Sequence, residues 1–330
     1  MKGFLERCIL SAAFLCLAAT GLCAERSKGK TKSKQPPEWV KDVTLLKPGK
    51  EPSLKSCRMR YSLSWNNLIN AGEVSISMKD GKKGDSASGE ILEGEASARS
   101  AGLARVLWAY DCELKSKADK SSLRPLWFEH SETENGETVS YRTDFEPDRV
   151  VTMRYEIDPE TEEVKSKKRT FKYAHVYDLL SSVLCLRSLP LKNEEIVTGV
   201  IQPFDAPYLV SFEVQGRESR KYAGEKKDTI RLGVKIQKIN KDLTLKAYKK
   251  MKTATLWVSE DDFRLPLEIR ADIFIGYVAA TLVERKFLTE VEMKAAAPSV
   301  QSMESKVKSL LSEPAVKARE WWLKRQVKEQ

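Results

Sequence analysis

Histidine is scarce in this chain: two in 330 residues, His130 and His175. A zinc centre of the usual kind gathers imidazoles and thiolates at short spacings, and no CxxC pair makes up the deficit. Cys8, Cys16 and Cys23 fall in the first 24 residues, so only Cys57, Cys112 and Cys185 remain for the body. No GxSxG elbow or catalytic-cysteine signature accompanies either histidine. Long apolar runs are missing as well. A helix needs about 20 such residues to span a bilayer; the longest run after the leader, 274–283, carries Gly276 and Tyr277 and lies between Asp272 and Glu284. These absences weigh against metal, cofactor and nucleophile chemistry and against a transmembrane helix.

The start of the chain is an export signal by pattern. Lys2 and Arg7 precede a short apolar stretch, 9–19, and small residues follow it. This order predicts removal of residues 1–24 and a soluble protein on the periplasmic or extracellular side of the envelope. The rival is a lipoprotein anchored through Cys23, but Leu22 stands where a lipobox has a small residue. That compartment permits disulfides, and Cys57 and Cys112 sit in phase with aromatic residues on strand patterns. Either they pair, or all three thiols are buried as small apolar groups.

The net charge is +10, but its placement argues against nucleic acid. Residues 25–56 hold nine Lys/Arg against four Asp/Glu, in a Lys-, Ser-, Gly- and Pro-rich lead that reads as a disordered linker. The body, 57–288, is nearly balanced and has no basic patch interleaved with aromatics.

That body alternates with period two. Met59, Tyr61, Leu63 and Trp65 form one run; Trp108, Tyr110, Cys112 and Leu114 another; Val139, Tyr141, Thr143 and Phe145 a third; Tyr208, Val210, Phe212 and Val214 a fourth. Such alternation buries one face of each strand. Turn chemistry at Asp80-Gly81, Asn135-Gly136 and Asp158-Pro159 separates the runs. About ten antiparallel strands are expected, in a mostly β fold: a strongly curved sheet or an up-and-down barrel, with a two-sheet sandwich as the alternative. One segment breaks the pattern. Val176, Leu179, Leu180, Val183 and Leu184 recur at helical spacing and predict a central helix over 175–189, ended by Pro190. C-terminal helices are expected in the tail, 289–330, which carries Trp321 and Trp322 beside Lys324, Arg325 and Lys328.

Three segments carry a resemblance: YSLSWNNLINAGEVSIS (61–77), YDLLSSVLCLRSLPL (177–191) and LWVSEDDFRLPLEI (256–269) with IGYVAATL after it. Together they resemble the bacterial exported domain-of-unknown-function 3108 family over roughly 57–288. Cys185 departs from a more usual aromatic, and Asn193-Glu194 from a glycine turn. The resemblance implies an exported β-rich fold with one helix and implies no activity.

Few residues invite chemistry. Arg187 extends the helical stripe; at a barrel mouth its guanidinium would hold a carboxylate or phosphate by paired hydrogen bonds, and otherwise it caps the helix carbonyls. Glu260, Asp261 and Asp262 cluster at a turn, though calcium needs six to eight converging oxygens. His130 is in phase with Leu126 and Phe128 and faces inward, where a carboxylate beside it would make it a general base. Tyr61, Trp65, Trp108, Tyr110, Phe128 and Tyr141 form either a filled core or the lining of a pocket. The ligand-binding candidates are therefore Arg187, Tyr61, Trp65, Tyr110 and His130. The reading is a non-catalytic envelope protein that binds a lipid or other amphiphile, or an envelope protein partner. The alternative is a hydrolase of envelope glycan or lipid using His130 or the acidic turn.

Overall fold

The computed structural model describes residues 36–51, 54–81, 89–157, 164–248, 253–261, 263–273 and 275–289. The leader 1–24, the tail from 290, Asp262 and the Asp158-Pro159 turn lie outside the described residues.

The first half of the chain forms β1 (Cys57–Trp65), β2 (Ile69–Asp80), β3 (Ile91–Ser100), α1 (Gly102–Leu107), β4 (Tyr110–Asp119), β5 (Pro125–Glu134), β6 (Glu137–Phe145), β7 (Val150–Ile157) and β8 (Val164–Phe171). The second half forms β9 (Val176–Tyr177), α2 (Leu179–Arg187), β10 (Ile196–Ile201), β11 (Tyr208–Tyr222), β12 (Glu225–Ile239), β13 (Leu245–Ala247), β14 (Ala254–Ser259), β15 (Pro266–Asp272) and β16 (Tyr277–Phe287). All sixteen belong to one sheet, so the sandwich alternative falls. Its path runs from β8 back through neighbours to β1, then β16, β15, β14, β12, β11, β10 and β9, with β13 beside β12. Every pairing is antiparallel except β9 with β10. The path has two ends, so the sheet is not a closed barrel.

Its ends nevertheless meet through side chains. Gln202, just past β10, donates to Thr152 on β7, and Arg169 on β8 pairs with Asp205. Phe204 packs on His130 of β5 at 4.4 Å. These contacts require the sheet to curl until its two flanks face one another. A second small core of Trp39, Val43, Val150, Val176, Val200, Leu209 and Ile239 fills the seam. Part of it comes from residues assigned above to the disordered lead. Trp39, in a 3-10 turn at Glu38–Asp42, donates its indole N–H to the Leu243 carbonyl, and Leu45 is fully buried. The composition argument holds only for segments without large apolar groups, and this one carries Trp39, Val43 and Leu45.

The helix is shorter than the periodicity predicts. Val176 and Tyr177 are extended and pair with Val200 and Ile201, because Asp178 takes the N-cap. Its carboxylate accepts from the Leu180 and Ser181 N–H groups at 2.7 and 2.9 Å. The helix is also not amphipathic. Every residue of it is buried except Val183, which is partly exposed although the stripe assigned it to the core. A helix buried all round lies inside the fold rather than on it, and Ser181 and Ser182 are accommodated because their hydroxyls bond to backbone carbonyls within the helix. Leu180 fits into β3 at Gly94, where a Cβ would sit 2.7 Å from the leucine Cδ1.

The three thiols are free and buried. Cys57 opposes Met78 on β2, whereas Cys112 opposes Ala98 on β3, so the alternative of a Cys57–Cys112 disulfide is excluded by two intervening strands and by register. No helix among the described residues is long and apolar enough to cross a membrane. The outward sheet face carries ion-pair rows. Glu93 lies between Lys79 and Lys117, Arg142 between Glu129 and Asp144, and Glu268 between Arg220 and Arg270. Charges in these positions are what the lipid-facing band of a membrane barrel avoids.

Candidate functional site: the inner face of the curved sheet

The inward positions follow from the registers. Cys57, Met59, Tyr61, Leu63 and Trp65 share a face with Met78, Ile76 and Val74 on β2, and these with Gly94, Ala96 and Ala98 on β3. One end of this inner face is filled. Helix α2 runs from Asp178, which accepts from the Ser116 hydroxyl on β4, to Arg187 beside Cys57 at the start of β1. At the other end the sequence places small groups. β3 offers Ala96, Ala98 and Ser100 inward, and β14 to β16 offer Ala254, Ala271 and Ala280. Side chains this small take up less of the interior than Leu or Phe would at the same positions.

These small groups are buried, but several larger inward side chains near them are not. Trp65, Ile76, Val139, Val234, Ile236 and Ile269 point inward, pack on the main core and are still only partly buried. Their neighbours nearer the helix, Met78, Leu92 and Leu114, are buried. Other inward residues beside them, Leu63, Val74, Ala98 and Cys112, are buried too, so the inner face is unevenly packed, and we call the space next to the six partly buried side chains the lumen. Around the end away from α2 stands an apolar rim. Leu68 lies in the β1–β2 turn and Ile69 begins β2, Leu103, Val106 and Leu107 lie on α1, and Ile275 precedes β16; all are exposed, Leu68 at 86% and Val106 at 83%. Trp65 ties the rim together by donating its indole N–H to the Ile275 carbonyl at 3.1 Å.

The sequence candidates divide between core and lumen. The Tyr61 hydroxyl donates to the Pro266 carbonyl at 2.9 Å and the Tyr110 hydroxyl to Glu132 Oε2 at 3.2 Å. Burial pushes both phenols upward, so they stay protonated, bound to fixed acceptors. Trp108 packs on Tyr110 at 4.9 Å and Phe128 is fully buried, so the aromatic set is mostly core, and Trp65 is its accessible member. Arg187 lies at the end closed by the helix. It is buried, its Nε donates to the Phe263 carbonyl at 2.7 Å, and burial lowers its pKa. The acidic turn is engaged locally. Asp261 accepts from the Ser259 hydroxyl and from the Phe263 and Arg264 N–H groups, and Glu260 pairs with Arg217. Among the described residues no cluster of His, Cys, Asp and Glu is placed to hold a metal.

His130 is the unusual group. It is fully buried, stacked against Tyr141 at 5.5 Å, and neither ring nitrogen has a hydrogen-bond partner among the described residues. Burial pushes its pKa down to about 3, which leaves it neutral. The carboxylate that a general base would require is not bonded to it. A buried polar atom without a partner costs about 1–3 kcal/mol, and Gln202 Oε1 nearby is a further such atom. Sequence reasoning identified His130 but missed Arg154, Lys167 and Gln202. The β8 run VKSKKRTF shows charge on both faces and gives no alternation to follow.

A family model described as "Protein of unknown function (DUF3108)" matches residues 60–283. No curated protein matches the chain in sequence. Among solved structures, the chain is similar to a β-barrel-like protein of domain of unknown function DUF1849 from Brucella abortus, at 9% identity and TM-score 0.49, covering 72% of this chain and 99% of that one. It is similar at TM-score 0.29 and 7% identity to a candidate exported protein with a YmcC-like fold from Bacteroides fragilis NCTC 9343, again over 72% of this chain and 99% of that one.

Proposed function

The chain belongs to the DUF3108 family of proteins of unknown function, and we propose its role from its own geometry: a non-catalytic, exported envelope protein whose lumen holds the hydrocarbon part of an amphiphile. One observation carries this reading. Six inward apolar side chains, Trp65, Ile76, Val139, Val234, Ile236 and Ile269, pack on the main core and are only partly buried. Apolar surface left open to water inside a curved sheet is a site that an apolar group would occupy favourably, at about 25 cal/mol per Å² covered. Export rests on the leader pattern, and the ion-paired outer face suits an aqueous compartment.

The test is binding of dodecanol, read by displacement of a hydrophobic fluorophore. The wild type is expected to bind it, and Ile76→Trp, which fills the middle of the lumen, to lose at least tenfold in affinity with an unchanged thermal midpoint. Equal affinity in the two proteins would rule out the lumen as the site.

A further inference from the structure

Directly opposed residues on β5 to β8 form one row on the inner face. His130 opposes Tyr141, Tyr141 opposes Arg154, and Arg154 opposes Lys167. The row grades from buried to open. His130 is fully buried, Tyr141 is buried, the Arg154 side chain is 19% exposed and Lys167 is exposed. The guanidinium of Arg154 lies over the Tyr141 ring at 5.8 Å. Its Nε is buried without an acceptor among the described residues, as are both nitrogens of His130 and Oε1 of Gln202. Gln202 is held beside the row, since its amide donates to Thr152, two residues before Arg154 on the same face of β7.

The charge of this flank is cationic. The inner face of β7 and β8 carries Arg154, Lys165, Lys167 and Arg169, against Glu156, which pairs with Arg154, and Asp205, which pairs with Arg169. Glu132, on β5 toward the rim, accepts from the Tyr110 hydroxyl. The other flank of the lumen is apolar, with Val234 and Ile236 on β12 and Ile269 on β15. One wall is thus suited to hydrocarbon and the facing wall to an anion.

We propose that the row His130, Tyr141, Arg154 and Lys167 seats the oxyanion head group, carboxylate or phosphate, of the amphiphile whose chain occupies the lumen. This rests on the lumen reading and adds the class of its ligand. Arg154 and Lys167 supply charge-assisted hydrogen bonds at the open end of the row. His130, neutral, donates from one ring nitrogen and accepts at the other, which suits an oxyanion together with a hydroxyl or a protonated acid. Tyr141 packs between them as a floor.

Three probes of equal chain length test it: dodecanoate, dodecyl phosphate and dodecanol, with inorganic phosphate as a competitor. The wild type is expected to bind at least one of the two anions tenfold or more tighter than dodecanol. Arg154→Gln with Lys167→Gln should reduce that preference to below about threefold and leave dodecanol affinity unchanged. Equal binding of all three by the wild type would overturn the head-group site, keep the lumen, and leave the β8 charges as guards of an open sheet edge. Failure of dodecanol to bind, with the anions still bound, would remove the lumen instead. Displacement of dodecanoate by millimolar inorganic phosphate would assign the row to a free anion and overturn the amphiphile.

Discussion

His130 makes the stability of this protein fall as the pH drops below the ordinary histidine range. Its folded pKa is held near 3 by burial, while an unfolded chain titrates near the ordinary 6.5. Above 6.5 neither state is protonated and the residue is neutral in its effect. As pH falls below 6.5, only the unfolded chain takes up the proton, so stability drops at about 1.4 kcal/mol per pH unit, or about 2 kcal/mol between pH 7 and pH 5. His175, also lowered by burial, acts in the same direction to a smaller extent. The expected result is a falling denaturation midpoint over pH 7 to 5 in the wild type. The decline should be clearly flatter in His130→Phe, which keeps the ring packing on Tyr141 and Phe204. A slope unchanged by the substitution would show that the ring protonates in the folded state. The residue was legible in the sequence because its phase with Phe128 placed it inward. Its isolation was not, because the missing partner depends on Phe204, which is 74 positions away in the chain and arrives from across the seam.

At the scale of elements, α2 and β3 are a matched pair. Glycine at 94 is needed because Leu180 Cδ1 and Met78 Sδ, at 2.7 and 3.0 Å, occupy the space a Cβ would take. Leu180→Ala should therefore cost about 2–5 kcal/mol through the void it leaves. Gly94→Ala alone should also destabilise, because the leucine must shift. The two together should cost less than the sum, since the added methyl refills part of the void; a denaturant series on the two single variants and the double variant reads this coupling. Strict additivity would mean that the helix does not rest on this strand. The period of 3.6 revealed the helix in the sequence, and the Asn135-Gly136 dipeptide revealed the β5–β6 hairpin, where both residues have positive φ. Strand β3 stayed hidden for a physical reason. Its inward face is Gly94, Ala96, Ala98 and Ser100, too small to register as an apolar alternation, and that same smallness makes room for the helix below and the lumen above.

The whole molecule depends on how an unclosed sheet avoids presenting its edges. No ladder joins β8 to β9, and the seam is held instead by Gln202, Phe204 and Asp205 against Thr152, His130 and Arg169. The N-terminal segment completes it. Thr44 and Leu45 donate their N–H groups to the Thr198 carbonyl at 2.8 and 2.9 Å, and the Thr44 hydroxyl accepts from the Thr198 N–H. Those backbone groups on β10 would otherwise form an open edge. Leu45 is fully buried, and Gly199 leaves it room: a Cβ there would lie 2.9 Å from its side chain. Composition could not reveal this, since the lysines and prolines around the segment outweigh three apolar residues in any average. Two consequences separate an integral strap from a passive linker. Leu45→Ala should destabilise by about 2–5 kcal/mol, a cost no linker residue would show. Deleting 36–46 should leave the helix and the β1–β5 region protected from hydrogen exchange while β9, β10 and β11 lose protection, because the seam core of Trp39, Val43, Val150, Val176, Val200, Leu209 and Ile239 opens from its exposed side. The truncated chain should also self-associate through the bared β10 edge, visible as a concentration-dependent sedimentation coefficient. Unchanged exchange across β9 to β11 would mean that the two flanks of the sheet hold together without the strap.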